Sequence, residues 1–174
     1  MQRLMIVSGP INSGKSTYLH RLIDHYEQQG LCVGGVTAEA LFEGERKCGY
    51  DVRDVRTGVQ TALVRSAGVG GDKGEIPNFE VRLQRVGRFY ILESGLEFTK
   101  KVLEAGFDCD LLCLDEVGPL EMQGGGHSPA LKMLLAEYHG TLLLVAREAV
   151  VDALIGQANE YGWEIVLRYS GVDF

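Results

Sequence analysis

Short apolar runs and helical repeats of apolar residues alternate along the chain, a pattern typical of strands connected by helices. Apolar runs predict strands over Arg3–Ser8 and Leu31–Thr37. Between them, four apolar residues recur at the i, i+3, i+4, i+7 spacing of one helical face: Leu19, Leu22, Ile23 and Tyr26. This repeat predicts a helix from about Lys15 to Gln29.

The middle of the chain has the two-residue period of a sheet with one exposed face. Lys47–Val55 and Val59–Val64 alternate on either side of Arg56-Thr57-Gly58, which predicts a β-hairpin. Residues 65–79 contain four glycines and Pro77, and they predict a long surface loop.

The second half returns to alternating strands and helices. Strands are predicted at Phe89–Leu92, Leu111–Leu114, Thr141–Val145 and Trp163–Leu167, and helices at Glu97–Ala105, Pro129–Tyr138 and Ala149–Tyr161. The order predicts a three-layer α/β fold with a mostly parallel sheet, to which the hairpin adds an antiparallel extension. No linker-like segment divides the chain, so we expect one domain over residues 1–174.

Composition narrows the class of protein. The 174 residues are 45% hydrophobic and 24% charged, as in ordinary globular proteins, and the net charge of −7 disfavours binding to nucleic acid or to anionic membranes. No apolar run approaches the ~20 residues of a membrane span, and the start of the chain lacks the shape of a signal peptide. The four cysteines form no C-x-x-C pair, and three of them lie in strand-like runs that predict buried, reduced thiols, so we expect a cytoplasmic protein without disulfides or zinc.

A glycine-rich loop between the first strand and the first helix carries the strongest functional signal. The run G-P-I-N-S-G-K-S from Gly9 to Ser16 fits G-x-x-x-x-G-K-[ST] in full. In such a loop the backbone N–H groups and the N-terminus of the helix bind phosphate, the lysine reaches the β- and γ-phosphates, and the hydroxyl after it binds Mg²⁺. The predicted nucleotide-binding residues are Gly9, Pro10, Ile11, Asn12, Ser13, Gly14, Lys15, Ser16 and Thr17.

Acidic residues at strand ends supply candidates for the rest of the site. Asp115 ends an apolar strand and is the predicted second Mg²⁺ ligand beside Ser16, and Glu116 is the predicted general base that activates water. Glu121 follows in a glycine-flanked loop, where a supporting role and a solvated carboxylate are equally compatible with the sequence. Thr37 and Glu39 also follow a strand and are expected at the same edge of the sheet.

Arg147 ends the next predicted strand, and two interpretations stay open. It could stabilise the charge of the γ-phosphate as an arginine finger, or it could form a surface ion pair with Glu148 or Glu116. The predicted catalytic residues are therefore Lys15, Glu116 and Arg147. The histidines His20, His25 and His127 are interpreted as ordinary polar residues.

Several segments together resemble the cancer-related, or THEP-type, family of P-loop nucleoside triphosphatases. They are the phosphate loop G-P-I-N-S-G-K-S-T, Gly34-Gly35-Val36-Thr37-Ala38-Glu39, Gly49-Tyr50-Asp51-Val52, Gly87-Arg88-Phe89-Tyr90 and Asp115-Glu116-Val117-Gly118-Pro119-Leu120-Glu121. The resemblance covers most of the chain. It implies a RecA-like core and slow, Mg²⁺-dependent hydrolysis of nucleoside triphosphates, with Lys15, Ser16, Asp115 and Glu116 in binding and catalysis.

The chain departs from the family pattern at Val36, where an aromatic residue is usual, and at the three glycines of residues 124–126. Three alternatives stay open. Asp115-x-x-Gly118 fits a GTPase switch, although no N/T-K-x-D motif is found. A small-molecule or nucleotide kinase would need an arginine-rich lid, for which Arg65, Arg82, Arg85 and Arg88 are candidates. The third is a GTP-binding adaptor for the assembly of a molybdopterin cofactor.

Overall fold

The computed structural model describes residues 2–66 and 83–170, with backbone only for Leu83 and Ser170. Its strands are β1 Arg3–Gly9, β2 Val33–Glu43, β3 Arg46–Asp54, β4 Gln60–Ser66, β5 Leu83–Val86, β6 Phe89–Leu92, β7 Leu111–Val117, β8 Thr141–Arg147 and β9 Glu164–Ser170. Its helices are α1 Lys15–Gln28, α2 Glu93–Ala105, α3 Pro119–Met122, α4 Ser128–Glu137 and α5 Val151–Glu160, and a 3₁₀ turn spans Glu148–Val150.

The strands of the described residues form one sheet in the order β5-β6-β4-β3-β2-β7-β8-β1-β9. Its parallel part runs from β2 to β9, because β2, β7, β8, β1 and β9 pair side by side in the same direction. Strand β8 separates β1, which precedes the phosphate loop, from β7, which carries Asp115. The carboxyl ends of these three strands meet at one edge, where ligands bind in α/β folds.

The sheet has apolar residues on both faces of its parallel part. Alternate residues of β1, such as Leu4 and Met5, enter two separate hydrophobic clusters, and β7 and β8 behave in the same way. Helices α2, α4 and α5 contribute to one cluster and α1 to the other. This arrangement confirms the predicted three-layer α/β fold.

The antiparallel extension is larger than the predicted hairpin. Strands β3 and β4 pair as predicted around Arg56-Thr57-Gly58, but β2 continues to Glu43 instead of ending at Thr37 and pairs with β3. Strands β6 and β5 complete the extension. The two directions meet within β2, because its first half is parallel to β7 and its second half is antiparallel to β3.

Other boundaries also differ from the sequence prediction. Strand β7 continues to Val117 instead of ending at Leu114, and β9 continues to Ser170 instead of ending at Leu167. Helix α2 begins at Glu93 rather than Glu97, and its first turn includes Gly95, which packs against the backbone of β4 and lowers the helical signal of the sequence. The predicted loop over residues 65–79 begins inside β4, and residues 67–79 lie outside the described residues. Among the helices that the structure describes, none is long and apolar enough to span a membrane.

Candidate functional site

The phosphate loop connects β1 to α1, as the sequence predicts. Asn12 and Gly14 have φ angles of 63° and 81°, in the left-handed region that Asn and Gly tolerate best. The helix begins at Lys15, and the N–H of Tyr18 donates to the carbonyl of Gly14 at 2.9 Å. The first turn of α1 therefore presents its N-terminal end to the loop, the arrangement that attracts phosphate.

The Lys15 ammonium group lies across the mouth of this loop. Its Nζ donates to the carbonyl oxygens of Gly9 at 2.9 Å and Pro10 at 2.8 Å. Both acceptors are neutral, so a phosphate oxygen would replace them with a charge-assisted contact.

Asp115 is a buried carboxylate at the carboxyl end of β7. Its side chain is 2% exposed and accepts a hydrogen bond from the Ala38 N–H at 3.3 Å. Burial raises its pKa to about 7, and the charges of Glu116 and Glu39 act in the same direction. No cation of the described residues lies within 4 Å of it. A carboxylate with no cation of the described residues in direct contact, on the same cleft as the Ser16 hydroxyl, fits a hard divalent cation such as Mg²⁺.

Glu116 and Arg147 form an ion pair next to Asp115. The Arg147 Nε donates to Glu116 Oε1 at 3.2 Å, and both side chains line the same cleft as Asp115. Arg147 reaches this position because it ends β8, the strand beside β7. One of the two sequence interpretations, an ion pair with Glu116, is therefore present in the geometry.

A second polar group comes from the middle of β2. The buried Thr37 hydroxyl donates to Glu39 Oε1 at 2.9 Å, and His20 Nε2 of α1 lies 3.7 Å from the same oxygen. The prediction that Thr37 and Glu39 lie at this edge is correct. The sequence interpretation of His20 as an ordinary polar residue missed its contact with Glu39, because only the packing of α1 beside β2 reveals it.

Glu121 organises the loop after β7 rather than standing in solvent. Its two carboxylate oxygens accept hydrogen bonds from the N–H groups of Gly118 at 2.8 Å and His127 at 3.1 Å. Burial raises the pKa of Glu121. His127, which the sequence indicated only as an ordinary polar residue, is itself buried, and burial lowers its pKa to about 4.

Most of these side chains, although not Thr37, line one cleft of about 720 Å³. Lys15, Ser16, Asp115, Glu116 and Arg147 are all part of its wall, so the structure brings the predicted catalytic and metal-binding residues together. Among the lid arginines, Arg88 lines the cleft but Arg65 does not. Arg65 is buried in β4 and donates to Asp51 Oδ1 at 2.6 Å, so it is not available for a lid. Arg82 lies outside the described residues.

The strand order and the loop define the class of protein. A phosphate loop after β1, an acidic pair at the end of β7 and an intervening strand β8 are the features of P-loop nucleoside-triphosphate-binding proteins with an additional central strand. The family model described as NTPase matches residues 4–163. The chain therefore belongs to this NTPase family, which confirms the resemblance and the enzyme class, nucleoside triphosphatase, inferred from the sequence.

Curated relatives and a solved structure agree with the family. The chain is 30% identical over 146 residues to the nucleoside-triphosphatase THEP1 of Methanosarcina barkeri, covering 82% of this chain and 76% of that protein. It is 26% identical to the THEP1 of Methanopyrus kandleri, in a match that covers 85% of this chain and 75% of that protein. It is 29% identical to the THEP1 of Ignicoccus hospitalis, in a match that covers 68% of this chain and 61% of that protein. The chain thus spans less than two thirds of the length of the Ignicoccus protein. The solution structure of a human cancer-related nucleoside triphosphatase has the same fold, with a TM-score of 0.68 and 23% identity over 97% of this chain and 88% of that one.

Proposed function

We propose that this chain hydrolyses nucleoside triphosphates to the diphosphate and phosphate with Mg²⁺, and that water is the acceptor. The main observation that supports the proposal is that Lys15, Asp115 and Glu116 line the same cleft. The names of the relatives support the same activity.

Each side chain has a distinct task in this proposal. The loop N–H groups and Lys15 bind the phosphates, and Ser16 and Asp115 hold Mg²⁺, which neutralises phosphate charge when bound. Glu116 orients a water molecule and takes its proton as the water oxygen attacks the γ-phosphorus and the bond to the β-phosphate breaks. Arg147 leaves Glu116 to contact the γ-phosphate, so that the base is released when the triphosphate is in position.

Three single variants separate binding from chemistry. Lys15→Ala should abolish tight binding of the triphosphate, because it removes charge-assisted contacts worth roughly 1.5–3 kcal/mol each.

The two acidic residues should differ in their effects. Asp115→Asn should weaken Mg²⁺-dependent binding of the triphosphate. Glu116→Gln should bind the triphosphate normally but hydrolyse it ~10²–10⁴ times more slowly.

The measurements are equilibrium binding of a triphosphate and release of free phosphate, with Lys100→Ala as the matched control. Lys100 is half-exposed on α2, where it pairs with Glu104. Wild-type affinity in Lys15→Ala would refute the phosphate-loop assignment, and a wild-type rate in Glu116→Gln would show that another group activates water.

A further inference from the structure

The cleft continues well beyond the phosphate site, onto the antiparallel extension. Tyr50 pairs with Ala40 on one side and with Val64 on the other, and Val64 pairs with Ile91. Residues directly opposite each other in antiparallel strands share a face, so this row of four strands forms one wall. All four side chains line the cleft. We name the part of the cleft formed by Phe42, Lys47, Tyr50, Arg88, Phe89 and Ile91 the outer chamber.

The outer chamber is an apolar surface that the described residues leave open. Phe42 is 49% exposed, and Tyr50, Phe89 and Ile91 are only partly buried. Aromatic side chains of this kind stack against planar rings, and a contiguous open apolar surface marks a binding site.

Two cations lie over the aromatic rings of this chamber. The Lys47 Nζ is 4.7 Å from the centroid of the Tyr50 ring and donates to its hydroxyl at 2.7 Å, and the Arg88 Cζ is 4.8 Å from the centroid of the Phe89 ring. Within residues 2–66 and 83–170, neither cation has a carboxylate within 4 Å. In a chain with a net charge of −7, two cations without acidic partners on one apolar wall are complementary to an anion.

Strand β2 connects the chamber to the γ-phosphate end of the site. The Ala38 N–H contacts Asp115, Ala40 follows along β2 and lines the cleft, and Phe42, farther along the strand, belongs to the chamber. Because Lys15, Asp115 and Glu116 act on the terminal phosphates, a molecule in the chamber lies beyond the γ-phosphate, and this placement rests on the function proposed above.

We propose that the outer chamber is a second binding site, separate from that of the nucleotide, for a small planar aromatic anion. Its ring stacks against Phe42, Tyr50 and Phe89, and its charged group binds Lys47 and Arg88. Tight binding in the chamber requires both the aromatic ring and the negative charge of the ligand.

The test uses 2-naphthalenesulfonate as the probe and isothermal titration calorimetry as the measurement. Naphthalene-2-sulfonamide has the ring without the charge and methanesulfonate the charge without the ring, so both are expected to bind at least tenfold more weakly. Lys47→Gln and Arg88→Gln should each weaken binding of the sulfonate about five- to tenfold, because each removes one charge-assisted contact. Lys100→Gln, on α2, is the control and should change nothing. Equal binding of the sulfonamide, or unchanged binding in both chamber variants, would overturn the proposal.

A second arm separates this site from the nucleotide site. With a saturating non-hydrolysable triphosphate and Mg²⁺, the affinity for 2-naphthalenesulfonate should change by less than twofold. Displacement by the nucleotide would assign the chamber to the nucleobase and overturn the proposal. Lys15→Ala should still bind the probe, so a failure of the proposed nucleotide site is measured independently of a failure of the chamber.

Discussion

The environment of Asp115 disfavours the charged form of its carboxyl group. It is buried at the end of β7, its only hydrogen bond in the described residues is to the Ala38 N–H, and its pKa is raised to about 7. Burial of a charged group without a partner costs free energy, and functional sites often retain such groups because a ligand supplies the missing charge.

Asp115→Asn should therefore stabilise the metal-free protein, and the gain should depend on pH. Below the unfolded-state pKa of 3.8 both states are protonated. As the pH rises from about 4 to 7, the unfolded carboxyl ionises while the folded one does not, so the wild type loses stability relative to the variant. Urea unfolding with a chelator should show a difference on the order of 2–4 kcal/mol at pH 8 and close to none at pH 4. A difference that does not vary with pH would contradict the raised pKa.

Arg147 offers a second test at the scale of one residue. If it stabilises charge that develops at the γ-phosphate, Arg147→Ala should lower kcat far more than it raises KM, and Arg147→Lys should restore only part of the rate, because a lysine lacks the planar fork. If its pair with Glu116 is merely a surface contact, that pair is worth about 0–1 kcal/mol and kcat should barely change. Steady-state kinetics of the two variants decide between these outcomes.

At the scale of elements, a buried arginine links strands β3 and β4 of the antiparallel extension. Arg65 of β4 contacts Asp51 of β3 and donates to the carbonyl oxygens of Tyr50 and Val64 at 2.9 Å. The guanidinium group thereby satisfies two acceptors on β3 and one on its own strand, β4.

Arg65→Ala should lower the free energy of unfolding by roughly 3–5 kcal/mol, because it leaves Asp51 and two carbonyl oxygens without their donor. Chemical denaturation measures this loss. Arg85→Ala, in the exposed part of β5, is the matched control and should cost less than about 0.5 kcal/mol. Equal effects of the two substitutions would show that Arg65 does not fasten the strands.

The elements differ in how far the sequence predicts them. Strands β1, β7 and β8 are apolar runs because both faces are buried, and α1 has a regular helical repeat, so the sequence predicts where each of the four begins. It places the ends of β7 and β8 three and two residues too early, because the polar residues at these ends interrupt the apolar run. The sequence does not predict the second half of β2, after Thr37. There Ala38, Ala40 and Phe42 face a cleft rather than a core, and they alternate with residues that are mostly polar. The phosphate-loop motif predicts Lys15, and the position after an apolar strand predicts Asp115. The contact of His20 with Glu39 depends on packing that no local pattern encodes.

For the whole molecule, nucleotide binding should stabilise the fold by mass action. A triphosphate with Mg²⁺ at 100 times its Kd should raise the free energy of unfolding by about 2.7 kcal/mol, because only the folded chain forms the phosphate loop. Thermal unfolding with increasing nucleotide measures the shift. The same titration of Lys15→Ala should leave Tm unchanged, and a shift equal to that of the wild type would place the binding site elsewhere.

The position of β8 between β1 and β7 has a consequence for how such a site can change. Neighbouring strands lie ~4.8 Å apart, so two spacings of roughly 10 Å in total separate the strand of the phosphate loop from the strand of Asp115. Arg147, which ends β8, lies between these two strands and belongs to neither the phosphate loop nor the acidic pair. If Arg147 contacts the γ-phosphate as proposed, substitutions at position 147 should change the turnover rate while leaving the binding of the triphosphate and the metal largely unchanged.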